Sequence, residues 1–299
     1  MSKKTSLLFL LIIFSVNLFA QDDEYKRDRW RDRWERNWDM WDEDSRPFLE
    51  FNYGLSEPKH KKLNGTLNET GLAEFKIGYS EIEIYESDYI LELDEKYLFA
   101  SNISPDLKSS ENNFTGFDAD AWRFGFGNRS AYGYKLGEIS ILPYSQYDFT
   151  WTKVDVTNLP DLTILPFPLP AIVEDVEIIG RYNGTFRFGT SNAGGIKIEI
   201  ADLIGLSAEY ETAVIFPRHL FWKQAGSFII EQGGQQAVDY FIDEIMDRSP
   251  AAAPIVNFIL KNGLSYAFYT LKRDDMNWPF KTETPFTYET FKFGLSFAF

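Results

Sequence analysis

The chain of 299 residues has no cysteine and only two histidines. Without cysteine it cannot be a small domain held together by disulfides, and its order must come from packing and backbone pairing. A zinc site would have to be built almost entirely from carboxylates, because His60 and His219 are far apart and neither belongs to a pair at metal-ligand spacing. Beyond the first twenty residues no apolar run approaches the ~20 residues that a membrane-spanning helix needs. There is no excess of positive charge either: 30 Lys and Arg stand against 45 Asp and Glu. Nucleic acid is therefore an unsuitable partner, since its binding is driven by neutralising phosphates with basic side chains. No glycine loop of the phosphate-cradling or dinucleotide type occurs. From these absences we expect no metal and no cofactor.

What is present begins with a leader. Lys3 and Lys4 precede an apolar run from Leu7 to Val16, and Leu18-Phe19-Ala20 stands before polar Gln21 and Asp22. That layout predicts an export signal over residues 1–20, cleaved after Ala20, rather than an uncleaved anchor. Without Lys3 and Lys4, 28 basic side chains face 45 acidic ones, a formal charge of −17. Aromatic residues make up 17% of the chain while its mean hydropathy is slightly polar, at −0.29. An aromatic-rich chain of this kind suits a large β-sandwich or a barrel that faces lipid on alternate residues.

Residues 21–46 are dense in Arg, Asp and Glu, with Trp30, Trp34, Trp38 and Trp41 spaced by four, four and three. On a helix the four indoles share one face. Such an arm either lies at a membrane interface, where Trp favours the headgroup region, or packs its stripe on the protein, or stays a charged tail.

From Pro47 onward the period becomes two. Leu49, Phe51, Tyr53 and Leu55 alternate with Glu50, Asn52 and Gly54, and Ala73, Phe75, Ile77 and Tyr79 with Glu74, Lys76, Gly78 and Ser80. Trp122, Phe124 and Phe126 repeat the pattern, as do Tyr147, Phe149 and Trp151. Both a sandwich and a barrel alternate. The opposite face decides between them, because it combines small and charged residues, as a narrow polar barrel interior requires. Glu74, Lys76, Arg123, Asp148, Arg187, Glu209 and Lys292 fall on that face. They form either a solute or ligand path or a salt-bridged filling, and for a barrel this narrow we favour the filling.

The last strand is the sharpest signal. Phe291, Phe293, Leu295, Phe297 and Phe299 share one face and the chain stops on the final phenylalanine. In water such a strand is an aggregation hazard, whereas in lipid it is natural. This ending resembles the carboxy-terminal signature of bacterial outer-membrane β-barrels. That resemblance implies a Gram-negative cell envelope, outer-membrane lipids as surroundings, and recognition of the terminal strand by the barrel-assembly machinery.

The expected fold is thus an all-β, antiparallel transmembrane β-barrel over 47–299, with about ten strands preferred and eight as second choice. The N-terminal amphipathic helix precedes it and a helical insertion over 217–262 interrupts it. The insertion is read from three and four spacings between His219 and Arg248 and from an apolar segment, Ala251 to Lys261, closed by Asn262-Gly263 as a C-cap. With ten strands it falls on the side of the chain termini, where it would cap or plug the lumen. Ser56 to Thr70 and Asn102 to Asp118 read as external loops. The apolar, proline-containing stretch from Asn158 to Val176 either folds over the barrel mouth, binds a partner or packs on its own scaffold.

Three roles follow. The first is a structural or surface/ligand-binding outer-membrane protein without a visible catalytic site. The second is a porin-like channel for a small solute or amphiphile, gated by the insertion. The third is a lipid-modifying enzyme, which would need a histidine base near a serine, as His60 near Ser56. An exported soluble sandwich is the structural rival.

Overall fold

The computed structural model of the chain describes residues 45–85, 89–108, 117–158 and 170–299. The predicted export signal, Trp30, Trp34, Trp38 and Trp41, and all but the last two residues of the charged arm lie outside the described residues.

Eight antiparallel strands close on themselves in sequence order: β1 (Arg46–Lys59), β2 (Thr70–Ile84), β3 (Ile90–Ser104), β4 (Asp118–Leu136), β5 (Ile139–Thr157), β6 (Phe186–Ile200), β7 (Ile204–Ile215) and β8 (Phe286–Ala298). Closure is made by β1 and β8, with Phe51 opposite Leu295, Tyr53 opposite Phe293 and Leu55 opposite Phe291. No edge is left unpaired, which is the condition for a sheet in hydrocarbon. Even β7, the shortest at 12 residues, exceeds the ~9–11 that a tilted strand needs to span a bilayer.

The number of strands corrects the preferred expectation of ten. Gly194-Gly195 look like a strand break in the sequence but run straight through β6. Leu264 and the residues after it continue a helix and add no strand. Two of the turns on the terminal side follow local chemistry. Gly137 has φ 71° and opens a two-residue hairpin between paired Leu136 and Ile139, a left-handed position that glycine takes at least steric cost. Ala201-Asp202-Leu203 joins β6 to β7.

The long connections lie at the opposite end, the mouth. One of them carries α1 (Pro170–Gly180); another, between β7 and β8, carries α2 (Phe221–Arg248) and α3 (Ala253–Lys272). This hairpin neither caps nor plugs the lumen and does not leave from the terminal side, as the sequence had suggested. It starts at the mouth and folds back along the outside of the wall. Phe228 meets Tyr147 and Phe149 on the outer face of β5. Ile242, Met246 and Ala253 pack with Ile90 and Tyr132 near the terminal side, and Tyr269 returns to Val214 and Phe216 near the mouth. Asn262-Gly263 does not end the helix. The Asn262 side chain donates to Phe258 O within the helix (2.9 Å) and to Tyr144 O on the wall (3.1 Å), so it fastens α3 to the barrel midway along its length.

Polar side chains of the hairpin pair between its two helices. Lys272 meets Glu231, Gln235 Nε2 donates to Ser265 Oγ (2.8 Å), and Lys261 Nζ lies 2.7 Å from Asp239. Ile229, Phe241, Ile255, Ile259 and Tyr266 point outward and are exposed. The hairpin thereby continues the apolar exterior formed elsewhere by Phe51, Leu98, Trp122, Ile198, Leu206 and Phe293.

Candidate functional site

Period-two alternation sends one residue in two of each strand into the lumen, and every strand places a polar group there. Glu50 comes from β1, Glu74 and Lys76 from β2, Glu95 from β3, Arg123 and Arg129 from β4. Gln146 and Asp148 come from β5, Lys197 from β6, Glu209 and Glu211 from β7, and Lys292 from β8. All are buried.

They form one connected network. Lys292 Nζ lies 2.8 Å from Glu74, 2.7 Å from Glu209 and 2.7 Å from Glu211. Arg123 Nη1 donates to Glu211 (2.6 Å) and Nη2 approaches Glu74 (3.4 Å). Arg129 reaches Glu50 and Glu95, both at 2.7 Å, and its guanidinium stacks 4.4 Å over the Tyr144 ring. Lys76 is shared among Glu50, Glu74 and Glu209 at 3.4–3.6 Å. Asp148 is held by neutral donors, with Tyr97 OH at 2.6 Å, Ser191 Oγ at 2.9 Å and Gln146 Nε2 at 3.0 Å. Buried charges with this many partners are stabilised only as a set, since removing one leaves its neighbours unpaired in a low dielectric.

Six of the seven sequence-selected interior residues, Glu74, Lys76, Arg123, Asp148, Glu209 and Lys292, belong to this network. Arg187 shares the inward phase of β6 but is only half-buried at the mouth end. Glu50, which alternates with the outward residues of its strand, was not among those selected, nor were Glu95, Arg129, Gln146, Lys197 and Glu211. The signal for them was available, because Arg129 is an even number of residues from Arg123, and Glu211 from Glu209.

Apolar layers close the lumen on both sides of the charges. Toward the termini, Phe48 packs with Tyr97 and Phe99, while Leu91, Leu93, Ala131, Leu142 and Tyr144 form a second cluster. Toward the mouth, Leu72, Ile103, Val154, Ile215, Phe286 and Tyr288 fill the interior under Ile179 and Tyr182. Ile179 belongs to α1, and Tyr182 follows it. Asp175 of α1 accepts from the backbone N–H groups of Asn64 and Gly65, both at 2.9 Å, tying this lid to the β1–β2 loop. The described end of the apolar, proline-containing connection thus folds over the mouth.

His60 is held by backbone groups. Its Nε2–H donates to Thr284 O (3.2 Å) and its Nδ1 accepts from Lys62 N–H (3.3 Å), a pairing that requires the neutral ring. Ser56, the serine considered for it, instead bonds Thr290, its partner on the neighbouring strand β8 (2.8 Å). His219 is exposed beside Phe188. A cleft of about 340 Å³ at the mouth is lined by Lys59, His60, Lys61 and Arg273. It is no ready anion site, because Lys59 and Arg273 are paired with Glu289 and Lys61 with Asp274.

No protein-family model and no curated protein sequence matches the chain. Among solved structures it is similar to Neisserial surface protein A, at 7% identity over 85% of this chain and 97% of that one, with a TM-score of 0.38. It is also similar to Ail, the attachment invasion locus protein of Yersinia pestis, in its complex with the heparin analogue sucrose octasulfate. That match has 8% identity over 86% and 99% of the two chains, with a TM-score of 0.34. Another structure of Ail gives 7% identity over the same shares and a TM-score of 0.31. These likenesses are loose, and the eight-stranded closed barrel is established by the chain's own strand pairing.

Proposed function

We propose that the chain is an exported outer-membrane β-barrel, sealed against solute flow, with a structural or surface/ligand-binding role. The observation that carries this reading is the filling of the lumen along its length: an apolar layer, a charge network drawn from all eight strands, and a second apolar layer under α1. A conduit needs a continuous polar path with room for water, whereas here Arg123, Arg129, Lys76 and Lys292 are among the most deeply buried side chains. The membrane setting is supported by the exterior, where large apolar side chains face outward on strand after strand. In this reading outer-membrane lipids surround the wall, and the barrel-assembly machinery takes up the chain through Phe291, Phe293, Leu295, Phe297 and Phe299. The neutral, backbone-held His60 supports a non-enzymatic role.

The test is conductance in planar lipid bilayers after reconstitution of the purified protein. A sealed barrel leaves the membrane at its baseline under an applied potential. Steady, salt-dependent conductance steps would require an open path and would replace this reading with the channel.

A further inference from the structure

Outside the lumen, between the wall and the first two turns of α2, lies a cavity of about 280 Å³. This is close to the lower end of the range typical of small-molecule pockets. Phe149, Phe188 and Phe216 form its barrel side, and Phe228 and exposed Phe221 its helix side. An apolar void alone would say little, but polar atoms are set into these walls.

Ser227 Oγ, Gln224 Nε2 and both side-chain polar atoms of Asn277 are buried without a hydrogen-bond partner among the described residues, while the Thr190 and Tyr147 hydroxyls lie within hydrogen-bonding reach of each other. All five residues line the cavity. Ser227 is 3% exposed and Asn277 1%, so bulk water does not solvate them through an open surface. Each such group costs about 1–3 kcal/mol unless something meets it. Lys272 also borders the cavity, yet its ammonium is in contact with Glu231, whose other carboxylate oxygen is an orphan acceptor. The pair cancels in charge, and the remaining groups offer donors and acceptors together.

From this we infer that the cavity is a binding site for an amphiphile with a small uncharged head, rich in hydroxyl groups, and one acyl chain. The head meets Ser227, Gln224 and Asn277, while the chain lies on the phenylalanines. A bilayer source is favoured by continuity of the apolar surface. Phe188 is 5.6 Å from Trp151 and 6.1 Å from Phe149 between ring centroids, and Trp151 stacks on Phe124 of the outward belt. A charged head is disfavoured, because Lys272 already has its counter-ion and no second charge lines the site. The inference names a ligand class for the binding role proposed above and rests on that membrane reading only for the ligand's route.

The test is a titration of the full mature chain, refolded lipid-free into detergent micelles, with 1-decanoylglycerol, read by native mass spectrometry. One saturable adduct per barrel is expected. Ser227→Ala should weaken it about three- to tenfold, the worth of one hydrogen bond. Ala225→Phe, which fills the cavity from the helix side, should abolish it. Decanoate and decyltrimethylammonium should bind at least about tenfold more weakly than the neutral glyceride.

Refolding is checked in each case by gel mobility with and without boiling. A heat-modifiable barrel that shows no saturable adduct, or one that neither substitution alters, overturns the site alone and leaves the orphan groups to water. Equal binding of a charged amphiphile overturns the uncharged head. A chain without heat-modifiable mobility overturns the barrel and, with it, the wall of the cavity.

Discussion

Arg129 grips Glu50 with both ends of its guanidinium, Nη1 to Oε2 at 2.7 Å and Nη2 to Oε1 at 2.9 Å. The two residues come from β4 and β1, which are not neighbours, so the fork spans the lumen. A planar guanidinium matches a carboxylate in this way and lysine does not.

Replacing Arg129 alone leaves Glu50 and Glu95 without their closest cation. Arg129→Met is expected to destabilise the refolded barrel by about 3–5 kcal/mol, the range for breaking a buried ion pair. Arg129→Lys should recover only part of that. The measurement is urea unfolding in lipid vesicles.

Phe293 is 61% exposed on β8. If that face meets lipid, Phe293→Lys costs about 2–4 kcal/mol near the bilayer midplane. On a water-facing sheet the same change would be close to neutral. Unfolding midpoints of the two forms in vesicles distinguish the cases.

The docking of the helical hairpin is tested at Gly194. A Cβ there would stand 2.5 Å from Asn262 Oδ1 and 2.6 Å from its Cγ. Gly194→Ala must displace Asn262 from its bond to Tyr144 O. It is expected to cost about 1–3 kcal/mol, as overpacking does, and to raise protease cleavage between α2 and α3 while the barrel remains heat-modifiable.

His60 provides a pH dependence at the mouth. Burial is the main cause that lowers its pKa to about 4; the Thr284 carbonyl opposes this, while Lys62 and Arg181 add to it. The unfolded ring titrates near its ordinary 6.5, so between about 6.5 and 4 the unfolded chain binds more protons than the folded one. Stability contributed by the neutral ring is present above about 6.5 and falls as the pH drops toward 4. The protection of amides in the β1–β2 loop against hydrogen exchange, relative to the intrinsic rate at each pH, should therefore fall over that window, and His60→Gln should flatten the response.

The alternation and the closing strand were legible in the sequence because a strand imposes period two whatever surrounds it. Strand number was less so. Gly194-Gly195 reads as a break, yet Gly194 is small because Asn262 lies against it. The position of the hairpin was hidden for a related reason. Under the helices the outward face of the wall carries Ser130, Ser145, Asn192 and Thr212 where lipid-facing strands carry Phe, Leu or Ile. Those residues look like a failing strand pattern, although they mark a wall covered by helix. The polar interior was recognisable as a face, but its pairing was not, since partners such as Glu50 and Arg129 are 79 residues apart.

The central claim, a closed barrel in the outer membrane, is tested most directly by fractionating cells that express the protein. The outer-membrane fraction is then run on a denaturing gel with and without boiling. The account predicts that the protein is released only by detergent and that boiling shifts its mobility. Release without detergent, with the same mobility either way, would contradict it and return the chain to an exported soluble fold.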